Sequence, residues 1–447
     1  MYSDQQNLAL PGADAAAAAL YGDALRAFNL YRGDPLALLE AALEAAPDFQ
    51  MAHVLKAHLY ALSTEPAATA HARIMVDALK ARQLDERAAS HVHALDALLK
   101  DGWQAAALAL DMHNVRWPRD LLALQSGHLV DFLRGNARNL RDRIARVLPQ
   151  WSSDTPGYSI LLGFHAFGLE ECGAYETAEE TGRRAIELEP LDCWAQHAVA
   201  HVLEMQNRAQ EGVAWMTSKE ANWSGDDNFF KVHNWWHLAL FQLELGRQDE
   251  ALSLYDRAVR RDRGTLALDL IDAAAMLWRL QLAGVEVGDR WAEVANCWSQ
   301  HADGRTYAFN DWHATMAYLG AGRTHDTEAL LKAMRATAAG NGEAAEWTRK
   351  VGLPLAEGFI AFAHADYDTA VERLYPTRFG ANLFGGSHAQ RDIIDLTLTE
   401  AALRGGQLAL AEALAHERLA AKPHSPANLR FLARSRQRFS DEVRMVA

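Results

Sequence analysis

The chain has 447 residues, half of them hydrophobic, so it can bury a large core as two or three domains or as one repeat array. Its 58 acidic and 44 basic residues leave a formal net charge of −14. That balance argues against nucleic acid and against anionic membrane surfaces, both of which recruit positive charge. The three cysteines, Cys172, Cys193 and Cys297, form no CxxC pair and suggest no disulfide framework. The first 25 residues lack a basic stretch followed by an apolar core, and no apolar run is long enough to span a bilayer. A cytoplasmic protein is the expectation.

Apolar residues recur at i, i+3, i+4 and i+7 along almost the whole chain, and no convincing alternating strand appears. The expected fold class is all-α. The first hairpin is DPLALLEAALEAAPDF, with Ala42 five residues before Pro47. A second amphipathic helix follows over 50–63, and Gly102 then precedes Ala107 by five residues. The same offsets return at Gly173 with Ala178, Ala185 and Pro190. They are cleanest at Gly246 with Ala251, Tyr255 and Ala258, preceded by Trp235, Leu238 and Ala239. These are tetratricopeptide offsets, with a period of about 34 residues, in which small residues let paired helices approach and an aromatic fills the gap.

Units are expected to start near Ser159, Cys193 and Val232. The last starts late because of a polar insertion, ANWSGDDNFF. Weaker units follow at YLGAGRTHDTEALLKAM and at GFIAFAHADYDTAVERL. The reading is a single superhelical domain over 1–447, interrupted by irregular loops at 222–231, 283–291, 336–347 and 375–388. Ser387 is the expected N-cap of a helix after Gly385 and Gly386, with Gln390 completing a capping box.

Composite strings of the chain resemble tetratricopeptide repeat protein 38 and its bacterial relatives. They include PDFQMAHVLKAHLYAL, RWPRDLLALQSGHLVDFLRGN, GFHAFGLEECGAYETAEE, DCWAQHAVAHVLEMQNRAQEGVAWM, FKVHNWWHLALFQLELGR, FNDWHATMAYLGAGR, GGSHAQRD and ERLAAKPHSPANLRFLAR. The resemblance runs almost end to end and implies an all-α tetratricopeptide superhelix. It implies no particular activity. Tetratricopeptide proteins in general bind peptides on a concave wall made by the first helix of each unit, which points to the positions to inspect.

Those positions are rich in histidine. His197 and His201 form one HxxxH pair, and His233 and His237 form another on the next unit. Residues four apart share a helix face, roughly 5–6 Å apart. Glu204 falls on the same side, and His165 lies in the preceding first helix. Neutral imidazole is the commonest transition-metal ligand, so His197, His201, His233 and His237 are candidate ligands for a divalent transition metal, with Glu204 or a distant Asp. The alternative is aromatic-like packing, and the HExxH pattern is absent.

Trp236, beside His237, is a candidate ligand contact. Asp311 is either a wall residue or the N-cap of its helix, and His313 follows it. His388, Arg391 and Asp392 follow the Gly-rich loop, at a helix start suited to anions; a local Arg391–Asp392 pair is the alternative. Glu170–Glu171 and Asp226–Asp227 read as solvated faces or loop ends. The functional reading is a His-, Trp- and Asp-rich groove that binds a small-molecule or peptide-like ligand. A metal-dependent hydrolase using the paired histidines and a scaffold for protein partners are the competing readings.

Overall fold

In the computed structural model, residues 2–446 are described, with side chains through Gln437. The chain is all-α apart from a two-residue ribbon, Tyr2–Ser3 against Ala9–Leu10. It is built of helical hairpins of the tetratricopeptide, α–α superhelical class. The first helices begin at Ala15, Gln50, Glu86, Leu121, Tyr158, Cys193, Lys231, Ala267, Ala308, Leu353, His388 and Pro426. Most starts are about one tetratricopeptide period apart. The long intervals surround Ala308, where the turn after Leu282 and the added helix Glu343–Trp347 lengthen the repeats.

The period is written into the hydrogen bonds as well. His58 to His91, Arg87 to Asp120, Glu204 to His237 and Arg260 to Glu293 all join residues 33 apart. Side chains on adjacent hairpins therefore meet at about one period's separation, three of these pairs at first helices and Arg260–Glu293 at second helices.

Local chemistry sets the hairpin ends. Asp14, Asp34, Asp85, Asp120 and Asn136 cap helices by accepting a backbone N–H at the third position. Gly173 and Gly246 end first helices with φ of +77° and +72°. The next N–H reaches back to Leu169 O and Gln242 O, respectively, as in a Schellman turn. Asn207 holds the same position in its hairpin at φ +57°. The small and aromatic repeat residues are core: Ala178, Ala185, Ala251, Leu238, Ala239 and Tyr255 are all buried.

The chain clusters into two compact units. One comprises residues 1–199 and 219–231, the other 200–218 and 232–447. In the first unit, Tyr21, Phe49, Leu55 and Leu95 belong to one hydrophobic core. The polar insertion belongs to this unit because Asn228 bridges to Arg32, and Arg32 pairs with Asp227 at 2.9 Å. It folds as a short helix, Glu220–Trp223, followed by turns.

Residues 283–289 are turn and coil, as expected, whereas the other two irregular segments are more ordered than the sequence suggests. Residues 336–347 hold a helix end, a four-residue turn and the helix Glu343–Trp347. Residues 375–388 continue the helix Tyr367–Thr377 into a 3₁₀ segment, Arg378–Phe384, and only Gly385 to Ser387 are irregular. Pro376 lies in that helix's last turn, just before the chain tightens into the 3₁₀ segment. Among the described residues, no helix is long and apolar enough to cross a membrane.

Candidate functional site

In the second unit, successive first helices bring polar side chains together. The helix Cys193–Met205 supplies His201 and Glu204, and Lys231–Glu244 supplies His233, Trp236 and His237. Ala267–Leu282 adds Asp272 and Arg279, and His388–Arg404 adds Asp392.

Three histidines form a tight cluster. The His201 and His237 rings lie 4.5 Å apart, and those of His233 and His237 4.9 Å apart. Trp236 stacks on His233 at 5.3 Å. His233 Nδ1–H donates to Asp272, 2.9 Å from each carboxylate oxygen. His237 Nδ1–H donates to Glu204 Oε2 at 3.2 Å. Burial, then the neighbouring histidines, holds His201 and His237 well below the ordinary imidazole range, so both are neutral.

A groove of about 450 Å³ lies in the same unit. Glu204 joins it to the histidine cluster, with its other oxygen 3.8 Å from Lys422. Its described lining carries six cationic and four acidic side chains, in a chain whose net charge is −14. Asp392 takes Arg418 at 2.7 Å and Arg279 at 3.5 Å. Burial pushes the Asp392 carboxyl up, but Arg418, Lys422 and Arg279 together outweigh it and hold it well below the usual range. Glu400 pairs with Arg404 and with both nitrogens of the Arg434 fork, at 2.7–2.9 Å. Arg279 is buried at 7 % exposure and gives Nη2 to Ala389 O at 2.7 Å. Its Nε has no hydrogen-bond partner among the described residues, and neither has Trp236 Nε1. Burial lowers the Arg279 pKa.

The other expected residues make contacts of their own. His197, in the first unit, packs between the rings of Phe167, Trp194 and Phe230, each about 5 Å away. His165, also in the first unit, is half-buried, and burial and Arg141 lower its pKa. Asp311 is not an N-cap: its helix begins at Ala308, and its Oδ1 accepts Gly304 N–H at 2.9 Å. His313 donates Nδ1–H to Phe309 O at 2.8 Å and is buried against Phe309 and Trp312. Arg391 turns back to the carbonyls of Gly385 and Gly386, while His388 is exposed. Asp392 does not pair locally with Arg391, because Arg418 and Arg279 reach it from other helices.

Ser387 caps its helix in a full box with Gln390. Glu170 and Glu171 are buried, not solvated, because they close the last turn of a helix with few exposed residues. Asp226 and Asp227 are loop ends, paired with Lys231 and Arg32. The Cys172 and Cys193 thiols are pushed up by burial, which keeps them protonated.

Asp272, Arg279, Arg418 and Lys422 escape the sequence reading. Asp272 and Arg279 stand seven apart in the otherwise apolar run IDAAAMLWRLQL, and charges on the buried face of such a helix were the available signal.

The fold defines an all-α repeat protein of tetratricopeptide type. No family model matches the chain. It is similar in fold to the human IFIT1 dimer with m7Gppp-AAAA, at 12% identity and a TM-score of 0.44, covering 95% of each chain. It is also similar to the APC/C hetero-tetramer Cut9–Hcn1, at 16% identity and a TM-score of 0.42, covering 94% of this chain and 76% of that one. These likenesses concern the fold and carry nothing about ligand or activity.

Proposed function

We propose that the protein is a cytoplasmic, tetratricopeptide-type binding protein, a bacterial relative of tetratricopeptide repeat protein 38, whose second-unit groove takes an anionic small-molecule or peptide-like ligand. Arg279 carries the reading. A buried charged donor left unmade costs about 1–3 kcal/mol or more, and Arg279, whose Nε–H has no hydrogen-bond partner among the described residues, is one of the residues that line the groove. A carboxylate accepts strongly from a guanidinium N–H held in a fixed plane, a geometry that a lysine cannot reproduce. Lys422 and Arg430 add positive charge to the same wall.

Thermal-shift and calorimetric titration with citrate and with short peptides bearing a free C-terminal carboxylate test the reading. An anion that binds the wild type should bind Arg279→Lys at least roughly tenfold more weakly, since hydrogen bonds to charged groups are worth about 1.5–3 kcal/mol. Lys422→Gln, a change at a partly exposed position, should weaken it as well. The reading fails if no such anion binds, or if both variants bind as the wild type does.

A further inference from the structure

We propose that His201, His233 and His237 of the second unit form a binding site for a divalent transition metal. One ring nitrogen from each lies within 4.8 Å of the others, a spacing that a single ion can close. All three residues are buried. The groove reading does not require this site, and the site does not require the groove's ligand.

The carboxylates behind the rings make this more than a packing cluster. Asp272 accepts from His233 Nδ1–H at 2.9 Å, and Glu204 accepts from His237 Nδ1–H at 3.2 Å. Each bond places the ring proton on Nδ1 and the lone pair on Nε2. Carboxylate–histidine–metal relays use this arrangement to orient a ligand and raise its basicity. The charges also balance once an ion is held: imidazole ligates a metal through a neutral ring, and two carboxylates offset a dication that would otherwise be buried at heavy cost. Arg279, the cation acting on His237, is paired with Asp392.

The first unit holds an instructive contrast. His91, His113 and Asp120 also lie within 4.8 Å of one another. There, however, Arg87 Nε sits 2.6 Å from Asp120 Oδ2, the same oxygen that takes both histidines at 3.0 and 3.1 Å. The guanidinium already supplies the positive charge, and a metal ion would have to displace it. In the second unit the carboxylates stand behind the rings instead of between them.

An all-imidazole set selects zinc, cobalt, nickel, copper or iron(II) over magnesium and calcium, which prefer oxygen. Three protein nitrogens leave room for a fourth donor to complete a tetrahedral shell. Glu204 lines the groove and also holds His237, so one carboxylate links the two features.

The test uses the full, untagged chain, stripped with a chelator and reloaded with zinc(II) or cobalt(II). One equivalent of zinc should survive desalting. X-ray absorption of the zinc adduct should show at least three imidazole nitrogens in the first shell, and magnesium should not compete. Asp272→Asn should weaken zinc binding about 10–100-fold, the usual effect of losing such an outer partner, and His237→Gln should weaken it further. Zinc lost on desalting, a first shell of oxygen or sulfur, or unchanged affinity in both variants would overturn the proposal. If the variants fail to fold, the first shell measured on the wild-type chain decides alone.

Discussion

Asp120 and Asp311 are both buried carboxylates near helix starts, and their surroundings give them opposite responses to pH. Asp120 caps the helix Leu121–Leu133 through Oδ1 and takes Arg87, His91 and His113 on Oδ2. Burial pushes its carboxyl up, but Arg87 and the histidines outweigh burial and hold it well below the usual range. Asp311 has only the Gly304 N–H on Oδ1, and Oδ2 has no hydrogen-bond partner among the described residues. Burial dominates there and pushes it up to about 8. A folded pKa above the unfolded value means the native state holds a proton that the unfolded chain releases. The contribution of Asp311 is therefore complete below about pH 4 and is lost as pH rises towards 8. Asp311→Asn should flatten that slope by up to roughly 1.4 kcal/mol per pH unit. Denaturant midpoints of both proteins from pH 5 to 9 check this; parallel pH profiles would refute it. Neither environment was legible in the sequence. Asp120 and its partners Arg87 and His91 are about one repeat apart, and Asp311 resembled a cap because its helix was expected to begin after it.

At the scale of the element, small residues set how closely helices approach. Gly168, in the helix Tyr158–Glu171, shows this most directly. A Cβ there would meet Arg141 N at 2.4 Å and the Leu140 carbonyl carbon at 2.5 Å. Both are backbone atoms of the adjacent helix Ala137–Val147, so no rotamer change can make room. Gly168→Ala should destabilise the protein by about 1–3 kcal/mol, the typical cost of overpacking, even though alanine favours helix. A lower midpoint with unchanged slope in urea unfolding is the expected result; an unchanged or raised midpoint would mean that the two helices separate freely. Elements were the most legible part of the sequence. Gly173 and Gly246 marked first-helix ends, and Tyr255, Ala251 and Ala258 marked packing positions, because each of those roles depends on residue size or φ alone. The 375–388 segment was misjudged for the converse reason. Proline and glycine were read as breakers throughout, but Pro376 sits in a last helical turn and the residues after it coil as 3₁₀.

For the whole molecule, net charge and local charge diverge. A chain at −14 gives no hint that one groove gathers six cationic side chains against four acidic ones. The HxxxH pairs were visible because both members share a helix. The cations were not, since Arg279, Arg418 and Arg430 come from three separate helices. This distribution fixes where ligand binding should be felt. An anion held in the second unit stabilises its native state by mass action, by about 2.7 kcal/mol at a hundredfold excess over Kd. Hydrogen exchange should therefore slow in Ala267–Leu282, His388–Arg404 and Leu408–Ala421, whose side chains line the groove. The helices Gln50–Ala61 and Glu86–Lys100 belong to the first unit and should exchange at an unchanged rate. Raising the salt concentration should erode the protection, because opposite charges that meet in a groove open to solvent are screened within about 8–10 Å at 0.1–0.15 M. Equal protection of helices in both units would instead assign the stabilisation to anions bound across the surface, leaving the groove without a specific ligand.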